Sequence, residues 1–474
     1  MLRIHNTLTN KKEEFNPIEG KKVNMYTCGV TVYDHCHIGH ARSLYVFEVM
    51  RRYLKYRGFT LRLVRNITDI DDKIIKKARV WAKEQGISLW DAFDKVRNTY
   101  IDSYYRDLEA LDLPEADFEP KATENIKEMI AYIEKLIKKG FAYESQGSVY
   151  FKVREFSEYG QLSGKKIDDL LESVRIEENL HKQDPLDFAL WKKAKDDEPH
   201  WESPWGKGRP GWHIECSVMS QKYLKADTLD IHGGGLDLVF PHHENERAQS
   251  EACSGKPFAN YWIHHGLLTI KKQKMAKSLG NFVTISDVLD KYPADVLKLF
   301  YLQAHYSSSI DFSWENMESS KKAYERITIL RDKLAKEPKP NKLSEWGTGR
   351  DLNLREQFIE AMDDDFNMPK AGAVLFEMIS KANTLLESNE PRRQKKLAYA
   401  AQILDEMTDA LCFTFEEKEL IGISEDEIQE LVEARIDAKK KKDYRQADQI
   451  RKELQGLGVI LEDTKEGTTW RRKI

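Results

Sequence analysis

Residues 22–67, KVNMYTCGVTVYDHCHIGHARSLYVFEVMRRYLKYRGFTLRLVRNI, read as strand, helix and strand in succession. Lys22 to Cys28 is a short β-prone run, Gly39 to Tyr56 has helical periodicity that stops near Gly58, and Leu61 to Ile67 is strand-like again. Asp71 to Lys83 then reads as a second helix. A β-α-β-α order builds a parallel sheet with crossover helices, and such sheets bind ligands beyond the carboxyl ends of their strands. The alternation resumes far downstream, with a strand at Thr228 to His232, a helix at Pro241 to Ala252 and a strand at Tyr261 to Ile270. From about Pro114 to Gly211 the rhythm breaks. One good helix, Thr123 to Lys139, precedes a stretch rich in Gly, Pro and Trp around Trp191, Trp201, Trp205 and Trp212. The expected class is α/β, a doubly wound parallel sheet whose two halves are split by an insertion.

Beyond about Trp314 the chain is helical, with amphipathic runs at Glu315 to Ala335, Leu354 to Leu386 and Arg393 to Leu411 that should pack as a bundle. Glu337 to Lys342 is a turn-rich linker between the first two. The reading divides the chain at 1–115, 116–211, 212–313, 314–424 and 425–474, in keeping with 474 residues being too many for one core. With 75 Lys and Arg against 79 Asp and Glu, the net charge of −4 excludes a uniformly basic nucleic-acid binder. Residues 431–474 nevertheless hold 12 basic and 8 acidic side chains, so this tail is locally positive and is the electrostatic candidate for RNA. Five widely spaced cysteines make a poor disulfide framework and point to a reducing, cytoplasmic setting. Met1 to Thr9 has no apolar core of a signal peptide, and no run approaches the ~18 apolar residues of a membrane span. Neither secretion nor a membrane partner is expected.

Four clusters carry chemistry. His37-Ile38-Gly39-His40 lies where strand gives way to helix, and backbone N–H groups there favour anions while glycine permits close approach. Two imidazoles beside such a site can donate to phosphate oxygens. Lys274-Met275-Ala276-Lys277-Ser278-Leu279-Gly280-Asn281 sets two lysines in a short loop, a layout suited to charge developing on a leaving pyrophosphate. Gly233-Gly234-Gly235 follows a strand, with Asp237 two residues on, and glycines at a strand end open room for a nucleotide. His242 and Glu246, four apart behind Pro241 at a first helical position, share a helix face. With Cys28 and Cys216 they form a set suited to zinc, although Cys36, Cys253, His232 and His243 compete on spacing alone.

The His37–His40 and Lys274–Asn281 motifs, in this order and with Gly211-Trp212-His213-Ile214-Glu215-Cys216 and Asp230-Ile231-His232-Gly233-Gly234-Gly235-Leu236-Asp237 between them, resemble the cysteinyl-tRNA synthetases. The likeness to these class I aminoacyl-tRNA synthetases runs over essentially the whole chain. It includes Asn66 to Lys73, Asp187 to Lys192 and the ending Glu466 to Arg472. The resemblance implies a Rossmann-type catalytic fold, a helical bundle and a small C-terminal anticodon-binding domain. It implies an enzyme that activates L-cysteine with ATP and Mg²⁺ and passes it to tRNA-Cys, acting as a monomer with one Zn²⁺. The ligands would be Cys28, Cys216, His242 and Glu246. His37, His40, Lys274 and Lys277 would be catalytic. Gly39, Gly233, Gly234, Asp237 and Lys277 would hold ATP, and Thr68 and Trp212 the amino acid. Arg445, Arg451, Trp470 and Arg471 would meet tRNA. Ala276 stands where the family usually has serine, which removes a hydroxyl and leaves both lysines. A cysteine ligase acting on an amino-sugar in thiol biosynthesis, or a non-catalytic zinc RNA-binding protein, are the alternatives.

Overall fold

The computed structural model describes residues 1–166, 181–275, 279–337, 353–415, 424–464 and 467–472. A hairpin of β1 (Arg3–Asn6) and β2 (Lys11–Glu14) precedes β3 (Lys22–Thr27), α1 (Ile38–Tyr56) and β4 (Thr60–Arg65). Helices α2 (Asp72–Gln85) and α3 (Leu89–Ala110) follow, the second in a stretch the sequence left unassigned. The insertion opens with α4 (Ile126–Lys138) and carries an antiparallel sheet, β5 (Ala142–Ser145), β6 (Ser148–Phe151), β7 (Phe188–Lys193) and β8 (Gly208–Pro210). The Gly-, Pro- and Trp-rich stretch is therefore partly sheet, in strands too short for periodicity to reveal. Then come α5 (Trp212–Leu224), β9 (Leu229–Gly235), α6 (Glu244–Ser254) and β10 (Ala259–His265).

Strands β10, β9, β3 and β4 form, in that spatial order, one wholly parallel sheet. From β3 the chain moves outward to β4, and from β9 it moves outward the other way to β10. The point where the order reverses is the crevice a doubly wound sheet uses for ligands. Three sequence expectations need correction here. The glycine run does not follow β9 but completes it, pairing with Ile263, His264 and His265 of β10. The α-helix expected from Pro241 begins at Glu244, because Val239–His243 forms an irregular wide turn. Tyr261 to Ile270 is two strands, for the chain bends at Gly266, whose N–H donates to Tyr306 O at 2.8 Å. The second piece, β11 (Leu268–Ile270), joins β12 (Gln273–Lys274) and β13 (Ile310–Phe312) in a separate small sheet.

Helices α7 (Ile285–Leu289) and α8 (Ala294–Tyr301) precede β13, and α9 (Trp314–Ala335), α10 (Leu354–Asp363), α11 (Met368–Glu387) and α12 (Arg393–Ala410) make the bundle. The expected single run from Leu354 to Leu386 is thus two helices. Asp365 and Phe366 take left-handed φ values of 63° and 49°, and the Asp365 carboxylate accepts from the His5 backbone N–H and the Tyr306 hydroxyl. Tertiary contacts win over local periodicity there. Most of the linker from Glu337 to Lys342 lies outside the described residues. A separate core of Ile428, Val432, Ile450, Leu454, Val459 and Leu461 joins α13 (Glu425–Lys440), α14 (Tyr444–Gly456) and the hairpin β14 (Val459–Thr464) and β15 (Gly467–Arg472). Among the described residues, no helix is long and apolar enough to cross a membrane.

Helix α1 belongs to both large units. Phe47 at its middle packs on β9, while Tyr45 Oη donates to Leu411 O at 3.0 Å, Tyr53 Oη to Asp363 at 2.7 Å, and Arg57 pairs with Asp363. Packing between α1 and β9 is close. A Cβ on Gly233 would fall 2.3 Å from the Phe47 ring, and one on Gly234 would fall 2.8 Å from the His243 ring. Gly233→Ala is expected to cost about 1–3 kcal/mol by overpacking, read from urea denaturation, and adding Phe47→Leu should recover part of the loss.

Candidate active site

The N-terminus of α1 is capped by its own motif. His37 Nδ1 accepts from the backbone N–H groups of Gly39 (3.1 Å) and His40 (3.3 Å), and His40 Nδ1 accepts from His37 N–H at 3.2 Å. This is the reciprocal logic of a capping box, with imidazoles in the usual roles of Ser and Glu. An imidazole that accepts at Nδ1 keeps its proton at Nε2. The rings stack with centroids 3.8 Å apart and an 11° interplanar angle, so two Nε2–H donors stand side by side at the positive end of a helix. Burial pushes His37 down to about 4, and burial followed by the His37 ring holds His40 well below its ordinary range. Both are neutral donors at pH 7.

The lysine loop is brought to this place by backbone pairing. Ile38 N–H donates to Val283 O at 3.2 Å and Ile285 N–H to Cys36 O at 3.1 Å, while the Phe282 ring meets the His37 ring edge-on. Met275 reaches within 3.3 Å of where a Cβ on Gly39 would sit. Lys274 Nζ lies 3.6 Å from the Asp237 carboxylate, both groups largely exposed. His37, Gly39, His40, Lys274 and Asp237 are thus assembled in one place. Ala276, Lys277 and Ser278 lie outside the described residues. Gly233 and Gly234 border the crevice with their Cα faces against Phe47 and His243. His265, which the sequence reading passed over, packs at the end of β10 against Gly235 beside Asp237.

A second cluster sits at the switch point between β3 and β9. Cys28 directly follows β3 with its N–H on Gly233 O, Cys216 comes from α5, and His242 and Glu246 come from the irregular turn and α6. One ligand atom from each of these four residues lies within 4.8 Å of the others, and Cys28, His232, His243 and Glu246 form an overlapping group. Neither group includes Cys36 or Cys253. Tetrahedral zinc, with Zn–S about 2.3 Å and Zn–N about 2.05 Å, sets two sulfurs about 3.8 Å apart and sulfur and nitrogen about 3.6 Å apart. Cys28 Sγ and Cys216 Sγ are 3.7 Å apart, and Cys216 Sγ and His242 Nε2 are 3.6 Å apart. The donor set therefore fits zinc in chemistry and in its sulfur spacings, while His242 and Glu246 are drawn to 2.6 Å as a hydrogen-bonded pair. Glu246 also accepts from His232 at 2.6 Å, His213 and His242 meet through their Nδ1 atoms at 2.9 Å, and His243 is linked to His264 and thence to Thr7.

Thr68 and Trp212 border this cluster. Trp212 stacks on His242 with centroids 4.0 Å apart and remains 37% exposed. Thr68 Oγ1 donates to Glu215 Oε2 at 2.8 Å, and Asn66 bridges Thr68 Oγ1 and the Gly29 N–H. Glu215 is fully buried, and its other carboxyl oxygen has no partner among the described residues. Sequence reasoning missed Glu215 and Asn66. The available signal was a carboxylate amid the apolar-aromatic run Trp212-His213-Ile214-Glu215-Cys216.

In the C-terminal unit Arg445 and Arg451 are exposed on α14, and Tyr444 is 64% exposed. Trp470 is half-buried against the small core, and the Arg471 side chain lies outside the described set. Lys439 and Arg435 bind Asp463, and Lys440 lies 3.7 Å from Asp437.

Residues 14–322 match the family described as tRNA synthetases class I (C) catalytic domain, 357–416 the DALR domain, and 424–471 the Cysteinyl-tRNA ligase anticodon binding domain. A cysteine–tRNA ligase of Thermodesulfovibrio yellowstonii is 48% identical, with 100% of both chains covered. The chain belongs to the cysteine–tRNA ligase family. Another member, from Anoxybacillus flavithermus, is 46% identical over 99% of each chain. The fold is shared more widely. Mycobacterium tuberculosis methionyl-tRNA synthetase, solved with methionyl-adenylate, superposes with a TM-score of 0.61 at 14% identity, covering 82% of this chain and 90% of that one.

Because burial holds His37 near 4, the unfolded chain binds a proton there below about 6.5 while the folded chain does not until about 4. Folding stability supplied by neutral His37 is complete above about pH 6.5 and falls as pH drops toward 4. In His37→Asn, whose amide oxygen still caps the helix, thermal unfolding followed between pH 6.5 and 4.5 should show a smaller decline than in the unaltered protein.

Proposed function

We infer that the chain works as a cysteine–tRNA ligase whose amino-acid pocket is built around zinc. The cysteine carboxylate attacks the α-phosphorus of Mg²⁺-bound ATP, giving cysteinyl-adenylate and pyrophosphate. A ribose hydroxyl at the 3′ end of tRNA-Cys then takes the cysteinyl group and releases AMP. No enzyme nucleophile is needed, so catalysis is alignment and charge stabilisation. His37 and His40 donate Nε2–H to phosphate oxygens, and Gly39 allows those oxygens close to the helix N-terminus. Asp237, Gly233 and Gly234 hold the nucleotide. Lys274, released from Asp237, and Lys277 meet the negative charge that gathers on the leaving pyrophosphate.

Serine differs from cysteine by one atom, and a purely apolar pocket separates such analogues by only about 10–200-fold. The reading rests above all on the convergence of Cys28, Cys216, His242 and Glu246, with the two sulfurs 3.7 Å apart, beside Thr68 and the partly exposed Trp212. Cys28, Cys216, His242 and Glu246 would hold the zinc, which when bound takes a thiolate directly and strips the proton from a coordinating thiol. Trp212 and Thr68 orient the amino acid, and Glu215 fixes Thr68. His232, His213 and the His243–His264 pair brace the ligands from behind, as hydrogen-bonded partners of metal ligands do. With this discrimination no editing domain is required.

Residues 1–115 and 212–313 make the catalytic halves, 116–211 the insertion, 314–424 the bundle and 425–474 the anticodon-binding domain in this reading. Arg445, Arg451 and Arg471 neutralise RNA phosphates, and Tyr444 stacks on an unpaired base more readily than the half-buried Trp470. The enzyme acts as a cytoplasmic monomer. The DALR and anticodon-binding matches disfavour the amino-sugar ligase, and retention of both histidines, both loop lysines and all four candidate metal ligands disfavours the non-catalytic alternative.

ATP–pyrophosphate exchange is expected with cysteine and not with serine; no exchange with cysteine refutes the ligase reading. Cys216→Ser should raise KM for cysteine by at least the roughly 10–100-fold that losing an outlying partner of a metal costs, with KM for ATP little changed. Equal cysteine affinity with and without zinc in a titration would refute the metal's role. Removing the residues after about Ser424 should leave exchange intact and sharply lower aminoacylation of tRNA, and survival of both would remove the tail from tRNA recognition.

A further inference from the structure

Arg42 lies on α1 two residues past His40, and it is 1% exposed. Its Nη1 donates to Gly266 O at 2.8 Å and Leu267 O at 3.0 Å. Its Nη2 donates to Ser308 O at 2.5 Å, Tyr306 O at 3.2 Å and His305 O at 3.4 Å. No carboxylate is among these partners. A buried guanidinium ordinarily takes a carboxylate, and a tie needed only for stability is made as well by apolar packing without the desolvation cost. What the guanidinium supplies instead is a rigid planar fork of donors, which sets distance and angle together.

The five carbonyls come from two segments. Gly266 and Leu267 are the bend from β10 into β11, and His305 to Ser308 lead into β13. Strands β11 and β13 pair in parallel, and β11 also pairs with β12, the strand that carries Lys274. The two segments are pressed together, for a Cβ on Gly266 would fall 2.2 Å from Ser308 O. The lysine loop is therefore tied to α1 on both sides. Before it stands Arg42, gripping Gly266 and Leu267; after it, Val283 and Ile285 pair with the backbone around His37. The Gly266 carbonyl that Arg42 grips also takes the Nδ1 of His265 at 3.0 Å, which aligns a ring beside Asp237.

We propose that Arg42 is a positioning residue for adenylate formation, setting the register between the histidine pair on α1 and the Lys274 loop. This rests on the ligase reading. Arg42 touches no reacting atom and acts through the sheet that bears Lys274.

The test uses the full chain with Arg42→Lys, which keeps the charge and loses the fork, and Arg42→Gln, which keeps two N–H donors and loses the charge. In pyrophosphate exchange kcat should fall on the order of 10²-fold, while KM for cysteine and zinc content stay at their unaltered values. In the Arg42→Lys background, adding Lys274→Ala should cost far less than it does alone, whereas Thr68→Ala should cost the same in both backgrounds. Losses from Arg42→Lys and Lys274→Ala that simply multiply would overturn the proposal. So would an unchanged kcat, or loss of the fold in both variants by circular dichroism, which would make the contact one of packing alone. Absence of exchange in the unaltered chain would overturn the ligase reading instead.

Discussion

The parallel pairing of β3 with β9 is the contact on which the rest of the molecule depends. It joins Met25, Tyr26 and Thr27 to Ile231, His232 and Gly233, and so closes a chain segment that contains the whole insertion. Loop-closure entropy grows only with the logarithm of length, so the insertion adds little to the cost of that closure. What closure secures is local. Cys28 directly follows one strand beside Gly233 in the other, α5 delivers Cys216 from one side and α6 delivers Glu246 from the opposite direction along the chain. The candidate metal cluster and the imidazole-capped end of α1 are two products of one crossing point, and neither half of the catalytic fold contains either site complete.

How much of this could be read from residues alone depends on the range of the interaction that decides each element. Strands β3, β4, β9 and β10 were legible as short β-prone runs set between turn residues, and helix α1 because its apolar residues recur with helical spacing from Gly39 until Gly58. Strands β5 to β8 were not, since three to six residues carry too few alternations and their partners lie across the insertion. The break at Asp365 depends on His5 and Tyr306, which no local window contains. At the metal cluster the residue types were legible and the choice among them was not. His242 and His243 are adjacent, and only the irregular turn Val239–His243 decides that one meets Cys216 and the other Cys28.

Charge shows the same dependence on range. A count gives the C-terminal tail an excess of four positive charges, from 12 basic and 8 acidic residues. Folding assigns part of that excess to structure. Arg435 and Lys439 converge on Asp463, which their hydrogen bonds hold well below the usual carboxylate range. Lys441 and Lys442, with Tyr444, Arg445 and Arg451 at the start and along α14, remain exposed. In the catalytic half the corresponding effect is burial, which leaves His37 and His40 uncharged and makes them donors by tautomer and not by protonation.

Helix α1 has 19 residues, which at 1.5 Å per residue is a rod of about 28 Å. One end is held by the bundle through Tyr53 and Arg57, and the other carries the stacked imidazoles. A one-degree tilt about the bundle end sweeps the rings through about 0.5 Å, and a misplacement of about 1 Å is enough to cost roughly 10²-fold in rate. The helix is a rod that joins the bundle to the stacked imidazoles, and the ties made by Arg42 and Phe47 along its length are what hold such a tilt in check.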